Sequence, residues 1–372
     1  MNEDFLHRKL NERKAQNSLR QLRLPKDGMI DLCSNDYLGI VKNGLLQQLG
    51  NPNVKDSYGS TGSRLLTGNY ALIEDTEKFI ADFHHAESAL IFNSGYDANV
   101  GLLSSVPQRG DTILYDHLSH ASIRDGIRLS FAHSFSFRHN DLNDLENKLQ
   151  NLPGNLFVVT ESVFSMDGDL CPLADLVILC EKYNAHLIID EAHATGVIGE
   201  KGEGLVQMLG LESNCFARVH TFGKACGAHG AAVLGSKNLR DYLINFARSF
   251  VYSTALPEQA VSHIKSSYEC FPGMQKERVQ LQKLIKLFEQ TIDLIPFHLP
   301  PFTSATPIKG IIIPGNEKIK QVTENLRLQN LDVRPILYPT VPKGQERLRI
   351  ILHSFSTEDE IGRLADGLKN SL

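Results

Sequence analysis

Apolar positions along the middle of the chain follow two alternating patterns. From residue 89 onwards, short continuous apolar runs alternate with stretches in which apolar residues recur every three or four positions. The first pattern is typical of strands buried on both faces, and the second is typical of helices. The predicted strands are 89–92, 112–115, 156–160, 187–189 and 231–235, the last closing the sheet, and the intervening helices begin near residues 97, 119 and 173. Such strand–helix repeats predict an α/β fold with a mostly parallel sheet covered by helices on both faces.

The chain on either side of this repeat predicts an arm and a small domain. The further predicted elements are a helix over 5–15, a strand over 30–34 and, after long helices and a proline-rich passage at 296–307, strands over 308–313, 331–337 and 348–352 with helices near 317–329 and 357–368. We therefore predict an N-terminal arm (1–44), a large catalytic domain (45–256) and a small α/β C-terminal domain (257–372).

A loop rich in glycine and hydroxyl residues spans residues 58–69. Backbone amides in such a loop can bind phosphate, but the spacing is not that of a nucleotide-binding fingerprint. A tight irregular loop is therefore an equal alternative. Asn69, at the end of the loop, is predicted to cap the helix that follows.

Composition narrows the class of protein. The chain has 372 residues, of which 42% are hydrophobic and 22% charged, as in ordinary soluble enzymes. No run approaches the length of a membrane span and residues 1–20 lack the apolar core of a signal peptide, so we expect a cytoplasmic protein without a membrane partner. A net charge of -5 argues against nucleic-acid binding. The six cysteines lack the spacing of a zinc site, and no metal is expected.

One lysine is notable because small residues surround it. Lys224 follows a short apolar strand and lies between Gly223 and the sequence Ala225-Cys226-Gly227. Such surroundings leave room for a planar partner, and partial desolvation lowers the pKa of an amine and makes it nucleophilic. These are the requirements of a lysine that forms a Schiff base. The alternative is a surface lysine in a glycine-rich turn.

An acid and a histidine upstream favour the first interpretation. Asp190 ends the apolar run 187–189, and His193 follows three residues later. Because the carboxyl ends of parallel strands meet at one edge of a sheet, both can face the same crevice as Lys224. An acid, a histidine and an accessible lysine at one sheet edge indicate pyridoxal phosphate.

Two other loops belong to the same predicted edge. Gly95 and Tyr96 follow the strand 89–92 at a helix amino terminus, where backbone amides hold anions. His120 follows the strand 112–115. A lone histidine is usually structural, and His120 becomes a candidate only because of its position at this edge.

The sequence Asp-Glu-Ala-His at 190–193 also occurs in certain helicases, where the carboxylates bind magnesium. Such an ATPase needs a G-x-x-x-x-G-K-[ST] loop upstream. The only Gly-Lys dipeptide, Gly223-Lys224, lies downstream, with Arg218 in place of the first glycine and Ala225 after the lysine. A non-catalytic binding module of the same fold would be expected to lose the lysine or to gain a nucleic-acid domain, and neither is seen in this sequence.

In this order and spacing, several short segments resemble the pyridoxal-phosphate α-oxoamine synthases. These segments are 19–20, 35–39, 119–122, 163–169, 190–193 and 221–224, so the resemblance runs nearly end to end. It implies a fold type I transferase with a large domain, built on a mostly parallel sheet, and a small α/β C-terminal domain. It also implies an acyltransferase that uses pyridoxal 5′-phosphate and forms a homodimer with the active site between two subunits.

The resemblance also implies roles for individual residues. Lys224 would bind the cofactor covalently and remove the α-proton, and Asp190 would pair with the pyridine nitrogen. His193 would bond the phenolic oxygen, and His120 would stack on the ring and contact substrate. The remaining cofactor positions of the family are matched by Gly95, Tyr96, Ser165 and Thr221, with Thr221 on the phosphate.

Substrate positions of the family are matched by Arg20, Asn35, Thr340 and Arg349, together with His120. Arg349 suits the carboxylate of an amino acid, because a guanidinium binds it in bidentate fashion. Segments 230–234, 339–342 and 347–349 favour the member that joins L-alanine to pimeloyl-CoA or the carrier-protein thioester, with loss of coenzyme A and carbon dioxide. The loop 63–68 resembles the corresponding loop of relatives that use glycine or serine about as well. Glycine and serine therefore stay open as alternative amino-acid substrates.

Overall fold

The computed structural model describes residues 1–49, 59–293 and 305–372. Tyr58 and most of the proline-rich passage at 296–307 lie outside the described residues. The strands are β1 (Ile30–Asp31), β2 (Ser88–Phe92), β3 (Thr112–Asp116), β4 (His133–Phe137), β5 (Leu156–Glu161), β6 (His186–Asp190), β7 (Ala217–Thr221), β8 (Ala231–Gly235), β9 (Ile308–Ile312), β10 (Leu331–Asp332), β11 (Arg334–Ile336) and β12 (Arg347–Ile351). The helices are α1 (Asp4–Ala15), α2 (Leu45–Leu49), α3 (Ala71–Phe83), α4 (Gly95–Ser105), α5 (Ala121–Leu129), α6 (Leu142–Leu149), α7 (Leu173–Lys182), α8 (Leu205–Met208), α9 (Lys237–Phe246), α10 (Arg248–Val251), α11 (Glu258–Cys270), α12 (Gln275–Asp293), α13 (Asn316–Leu328) and α14 (Glu358–Ser371). None of the helices within these ranges is long and apolar enough to cross a membrane.

The chain divides into two compact units. The central unit consists of residues 38–165 and 170–278, and the terminal unit consists of residues 1–37, 166–169 and 279–372. The arm, large domain and small domain expected from the sequence, with boundaries after residues 44 and 256, stay a prediction.

The central unit is built on a seven-stranded sheet of order β2-β8-β7-β6-β5-β3-β4. β8 is antiparallel to both of its neighbours, and the other strand pairs are parallel. The predicted α/β class with a mostly parallel sheet is therefore confirmed. The prediction that 231–235 closes the sheet is wrong, because β8 lies inside it between β2 and β7.

Strand direction determines which loops share an edge. Because β2 and β7 are both antiparallel to β8, β2 runs in the same direction as β7, and hence as β6, β5 and β3. The carboxyl ends of these five strands lie at one edge of the sheet. The sheet interior is filled by apolar side chains such as Leu90, Val159, Ile188 and Val219, which pack with those of α4 and α5.

Burial explains which elements the apolar pattern detected. All six residues of β5 are buried, whereas four of the five residues of the edge strand β4 are exposed, and the pattern missed β4.

The prediction that Asn69 caps α3 is wrong. Tyr70 occupies the cap position, and the Asn69 amide instead donates to Glu74 at 3.1 Å.

The terminal unit contains a three-stranded antiparallel sheet, β11-β12-β9, and a two-residue parallel pair between β1 and β10. The single strand predicted over 331–337 is divided between these two sheets. Pro335, which has no N–H to donate, lies on the edge strand β11, where a missing donor is tolerated. Pairing of Ile30 with Leu331 joins the two ends of the sequence within this unit.

Candidate active site

The carboxyl edge of the central sheet carries several of the predicted residues. Thr221, Asp190 and Glu161 are the last residues of β7, β6 and β5, and Glu161 pairs in register with Asp190. Lys224 follows three residues after β7 ends. The sheet therefore holds their backbones in adjacent rows, as expected for strands that end at a shared edge.

Lys224 lies in a turn that is open on one side. Its Nζ donates a hydrogen bond to Thr221 Oγ1 at 3.0 Å. A Cβ added at Gly223 would meet only the carbonyl oxygen of Ala228, at 4.0 Å, so there is space beside the lysine. Gly227, which ends the turn, has a backbone φ of +60°, a conformation that residues with a side chain rarely adopt. This geometry agrees with an accessible, partly desolvated amine.

Asp190 is a buried carboxylate with only 5% of its surface exposed. Its Oδ2 accepts a hydrogen bond from Asn99 Nδ2 at 2.8 Å, and its Oδ1 accepts one from the Ala192 N–H at 2.9 Å. Both of these donors are neutral groups. Because a buried charge is costly unless it is paired, Asp190 suits a cationic partner such as a protonated pyridine nitrogen.

The amino terminus of α4 packs directly against Thr221. Ser94 caps the helix by accepting from the Asp97 N–H at 3.0 Å. A Cβ at Gly95 would lie 2.5 Å from Thr221 Cγ2, so only glycine permits this approach. The Tyr96 hydroxyl donates to Asp125 at 2.6 Å, which links α4 to α5. Free N–H groups in the first turn of a helix favour an anion, so this position suits the phosphate of a cofactor.

His120 caps α5 through its side chain, which accepts from the Ser122 N–H. Its Nδ1 lies 2.8 Å from Ser122 Oγ, and its backbone N–H donates to Glu161 Oε1 at 2.7 Å. Partial desolvation lowers the pKa of His120; the positive charge of Lys224 acts in the same direction, and the negative charge of Asp190 opposes it. The imidazole is therefore held in its neutral form over a wider pH range than an ordinary histidine.

Glu161 was not singled out from the sequence. Its side chain is buried, and burial, followed by the charge of Asp190, raises its pKa to about 8. Hydrogen bonds from the backbone N–H groups of His120 and Ser165 act in the opposite direction. Glu161 thus lies beneath two loops that carry candidate residues.

Two further cofactor candidates lie in loops after the same strands. His193 is buried three residues after the end of β6, and Ser165 is half-buried in the turn after β5. Their roles toward the cofactor stay predictions.

Two residues that hydrogen-bond to the candidate residues, Asn99 and Ser122, were also not singled out from the sequence. The available signal was their polarity within otherwise apolar helical stripes, with Asn99 one turn after Gly95.

The terminal unit brings the four predicted substrate residues together in two pairs. Arg20 Nη2 donates to Thr340 Oγ1 at 2.7 Å. Arg349 Nη2 donates to Asn35 Oδ1 at 3.0 Å, and the buried Tyr37 hydroxyl donates to the same oxygen at 3.1 Å. In each of these two pairs the arginine donates to a neutral side-chain oxygen.

The glycine-rich loop does not present its arginine to a phosphate. Arg64 pairs with Glu77 at 2.7 Å and with Glu74 at 3.2 Å, and its Nε donates to Asn69 at 2.7 Å. A Cβ at Gly68 would lie 2.3 Å from the carbonyl oxygen of Gly62, so the loop is tightly folded. These contacts favour the irregular-loop interpretation.

The residues of the central unit fit the pyridoxal phosphate expected from the sequence. The lysine matches the cofactor's aldehyde, and the buried carboxylate, held by neutral donors, matches its ring nitrogen. The helix amino terminus that packs on a threonine matches its phosphate. The fit rests on Lys224, Asp190, Gly95 and Thr221.

Comparison with known proteins agrees with this fit. A family model described as aminotransferase class I and II matches residues 27–368. The chain is 40% identical to an 8-amino-7-oxononanoate synthase of Emericella nidulans, with 98% of this chain and 94% of that protein covered.

Solved structures give the same result. An 8-amino-7-oxononanoate synthase from Francisella tularensis is 29% identical, with a TM-score of 0.77 and coverage of 93% of this chain and 98% of that one. A serine palmitoyltransferase variant from S. paucimobilis, solved with a bound pyridoxal phosphate–myriocin compound, is 25% identical, with a TM-score of 0.88 and coverage of 99% and 96%. The family resemblance found in the sequence is confirmed by these matches.

Proposed function

The chain belongs to the class I and II aminotransferase family, and from this premise we propose that it acts as an 8-amino-7-oxononanoate synthase. It joins L-alanine to pimeloyl-CoA or the carrier-protein thioester, and releases 8-amino-7-oxononanoate, the free thiol and carbon dioxide, as a step of biotin synthesis. The observation that carries this proposal is the end-to-end similarity to relatives of that name, in a chain whose Lys224 and Asp190 share one sheet edge.

Bound pyridoxal phosphate supplies an aldehyde that holds the amino acid and a ring that accepts electrons from its α-carbon. Lys224 binds the cofactor and then moves the α-proton. Asp190, fixed by Asn99 and the Ala192 N–H, keeps the pyridine nitrogen protonated. Because this carboxylate is buried, water does not weaken its interaction with the nitrogen.

Other residues of the central unit hold the cofactor in place. His193 would donate to the phenolic oxygen of the bound cofactor, and His120 would stack on its ring and contact the substrate. The phosphate is held by Thr221 and by the backbone N–H groups of Gly95 and Tyr96 at the start of α4, and Ser165 contributes a further contact. The packing of Gly95 on Thr221 supports this assignment.

Residues of the terminal unit bind the substrates. Arg349, steadied by Asn35, binds the carboxylate of L-alanine in bidentate fashion. Arg20, steadied by Thr340, binds the far carboxylate of the pimeloyl chain. A homodimer with the active site between subunits and a location in the cytoplasm also belong to this proposal.

The proposal is tested by offering the purified protein a grid of substrates. Alanine, glycine and serine are each combined with pimeloyl-CoA, acetyl-CoA and palmitoyl-CoA, and release of free thiol is measured. We expect the largest kcat/KM for alanine with pimeloyl-CoA, and no release from the Lys224→Ala variant. A larger kcat/KM for any other pair would overturn the substrate assignment.

A second candidate is a sister activity that uses serine and a long fatty acyl thioester. It is favoured by the TM-score of 0.88 to the serine palmitoyltransferase and by the loop 63–68. The identity of 25% is lower than the 40% to the oxononanoate synthase, so the first candidate is preferred. Activity with serine and palmitoyl-CoA in the same grid would promote this alternative.

A further inference from the structure

A chain of hydrogen-bonded side chains connects Asp190 to His120, and we call it the side-chain relay. Asn99 Nδ2 lies 2.8 Å from Asp190 Oδ2 and 3.0 Å from Ser122 Oγ. Ser122 Oγ in turn lies 2.8 Å from His120 Nδ1. Asn99, Ser122 and Asp190 are buried, and they belong to α4, α5 and β6 of the central unit. Asn99 fixes the Asp190 carboxylate, and its second hydrogen bond extends this contact to Ser122 and His120.

Counting donors fixes the direction of the two hydrogen bonds that Asn99 makes. A carboxylate accepts only, so Asn99 must turn its NH₂ group, and not its carbonyl oxygen, toward Asp190. The NH₂ group has two hydrogens, and the second points to Ser122 Oγ. Ser122 Oγ accepts from Asn99, and its own hydrogen is available to donate to His120 Nδ1.

A second donor points to the same nitrogen. The backbone N–H of Ser122 lies 3.3 Å from His120 Nδ1 and donates to it, as in a capped helix. Because a backbone N–H can only donate, Nδ1 accepts this hydrogen bond and therefore carries no proton. In a neutral imidazole the proton then lies on Nε2.

We propose that Asn99 and Ser122 are positioning residues that hold His120 as the neutral tautomer with its proton on Nε2. The ring then offers an N–H donor to an acceptor on the bound substrate. Because the relay begins at Asp190, the same buried amide orients the carboxylate and, through Ser122, the imidazole. Only this role in the reaction rests on the proposed function; the tautomer itself does not.

Charged groups around the ring act in both directions. Asp190 on β6 and Asp125 on α5 favour the protonated ring, whereas Lys224 after β7 and Arg124 on α5 disfavour it. Desolvation also favours the neutral form, and its effect is the largest. The relay adds to desolvation by stabilising the neutral ring, and it selects which nitrogen carries the proton.

The tautomer can be observed directly by ¹⁵N NMR of the full chain labelled at histidine, without substrate. The His120→Gln variant identifies the signals of this residue. We expect, at a pH above its titration, a protonated Nε2 and an unprotonated Nδ1. A proton on Nδ1 would overturn the proposal. Because no turnover is required, this result does not depend on whether the substrate assignment is correct.

Variants of Ser122 test the relay. In Ser122→Ala the hydroxyl donor is lost, so the pKa of His120 should rise, and kcat in the best substrate pair should fall by roughly 3- to 10-fold, as for one lost neutral hydrogen bond. Ser122→Thr keeps a hydroxyl and should restore both values. Asn99→Ala should also raise the pKa of His120, because Ser122 loses the donor that orients its hydroxyl.

The matched control is Ser119→Ala in the same loop. Ser119 is buried, and its Oγ has no hydrogen-bond partner among the described residues. Its removal should leave both the titration of His120 and kcat unchanged. If Ser122→Ala behaves like Ser119→Ala, or lowers the pKa of His120, the relay does not determine the tautomer and the proposal fails.

Discussion

In the central unit, candidate residues lie at or just after strand ends, whereas in the terminal unit they come from opposite ends of the sequence. Lys224 and its hydrogen-bond partner Thr221 are 3 residues apart. By contrast, Arg20 and Thr340 are separated by 320 positions, and Asn35 and Arg349 by 314.

We propose that the two units also differ in the part that each plays in the reaction. The central geometry is fixed by the backbone of a buried sheet. The terminal geometry depends on pairing between the amino-terminal segment and the last strands, through Ile30 with Leu331 and the Ser354 N–H with Tyr37. Substitutions in the central unit should therefore damage cofactor binding and chemistry, and those in the terminal unit should change substrate use while the cofactor stays bound.

The largest effect is expected for Lys224→Ala. In the role proposed for Lys224, the variant would lack both the amine that binds the cofactor and the base at the α-carbon, so kcat should fall by at least about 10³-fold. In the unaltered protein, borohydride reduction and peptide mapping should locate a pyridoxyl group on Lys224. A label on any other lysine would refute the assignment. Lys237→Ala, which removes a surface lysine paired with Asp241 on α9, serves as the control and should stay active.

Sequence patterns predicted where the candidate residues of the central unit lie better than they predicted the contacts that hold these residues. Asp190 and Lys224 were detectable because each follows an apolar run, and in a parallel sheet the end of such a run defines a position in space. Asn99 and Ser122 were not singled out, because a polar residue on a helix gives no indication of the partner it will meet. Likewise, the sequence around Glu161 does not indicate that this residue pairs in register with Asp190.

In the terminal unit, the resemblance to a family, and not the pattern, suggested the important residues. Arg20 lies in a charged segment that reads as a solvated helix end, and its contact with Thr340 arises only when distant segments pair. The strand 331–337 was predicted as one element because the apolar pattern does not report that the backbone changes partner after Asp332. Local patterns carry no information on such long-range pairing.

The second prediction concerns Glu161 and the pH dependence of stability. Its pKa, about 8 in the folded chain, lies above that of an unfolded glutamate, 4.5. Between these values the folded state holds a proton that the unfolded state has lost, so the free energy of unfolding falls as pH rises, by at most about 1.4 kcal/mol per pH unit. Glu161→Gln removes this contribution. In denaturant unfolding, the variant should therefore gain stability relative to the unaltered protein from pH 5 to 8.

The control for this comparison is Glu146→Gln. Glu146 pairs with Lys182 at 2.5 Å, and this contact lowers the pKa of Glu146. The ion pair of Glu146 loses its contribution to stability only when the pH falls below the pKa of an ordinary glutamate. The difference in the free energy of unfolding between Glu146→Gln and the unaltered protein should therefore stay constant from pH 5 to 8. A constant difference for Glu161→Gln as well would show that Glu161 is ionised in the folded protein.

Arg349→Ala tests the terminal unit directly. Loss of a charge-assisted hydrogen bond to the carboxylate costs about 1.5 to 3 kcal/mol, so KM for alanine should rise by roughly 10- to 100-fold. The absorbance of the bound cofactor should not change. Arg349→Lys should recover only part of the loss, because an ammonium cannot bind in bidentate fashion. Arg363→Ala, which removes an exposed arginine of α14, is the control. Loss of the cofactor from Arg349→Ala would contradict the division between the units.

The smallest effect is expected for Arg20→Ala, which separates acyl substrates from one another. Arg20 is exposed and its contact with Thr340 is neutral, so solvent screens the charge that it offers to the far carboxylate of a pimeloyl chain. We expect kcat/KM for pimeloyl-CoA to fall by about 2- to 10-fold, with little change for a fatty acyl-CoA of similar length that lacks the carboxylate. Arg23→Ala, an exposed arginine three residues further along the same segment, should affect neither thioester. An equal loss with both thioesters in Arg20→Ala would mean that Arg20 supports the fold of the terminal unit and does not recognise the acyl chain.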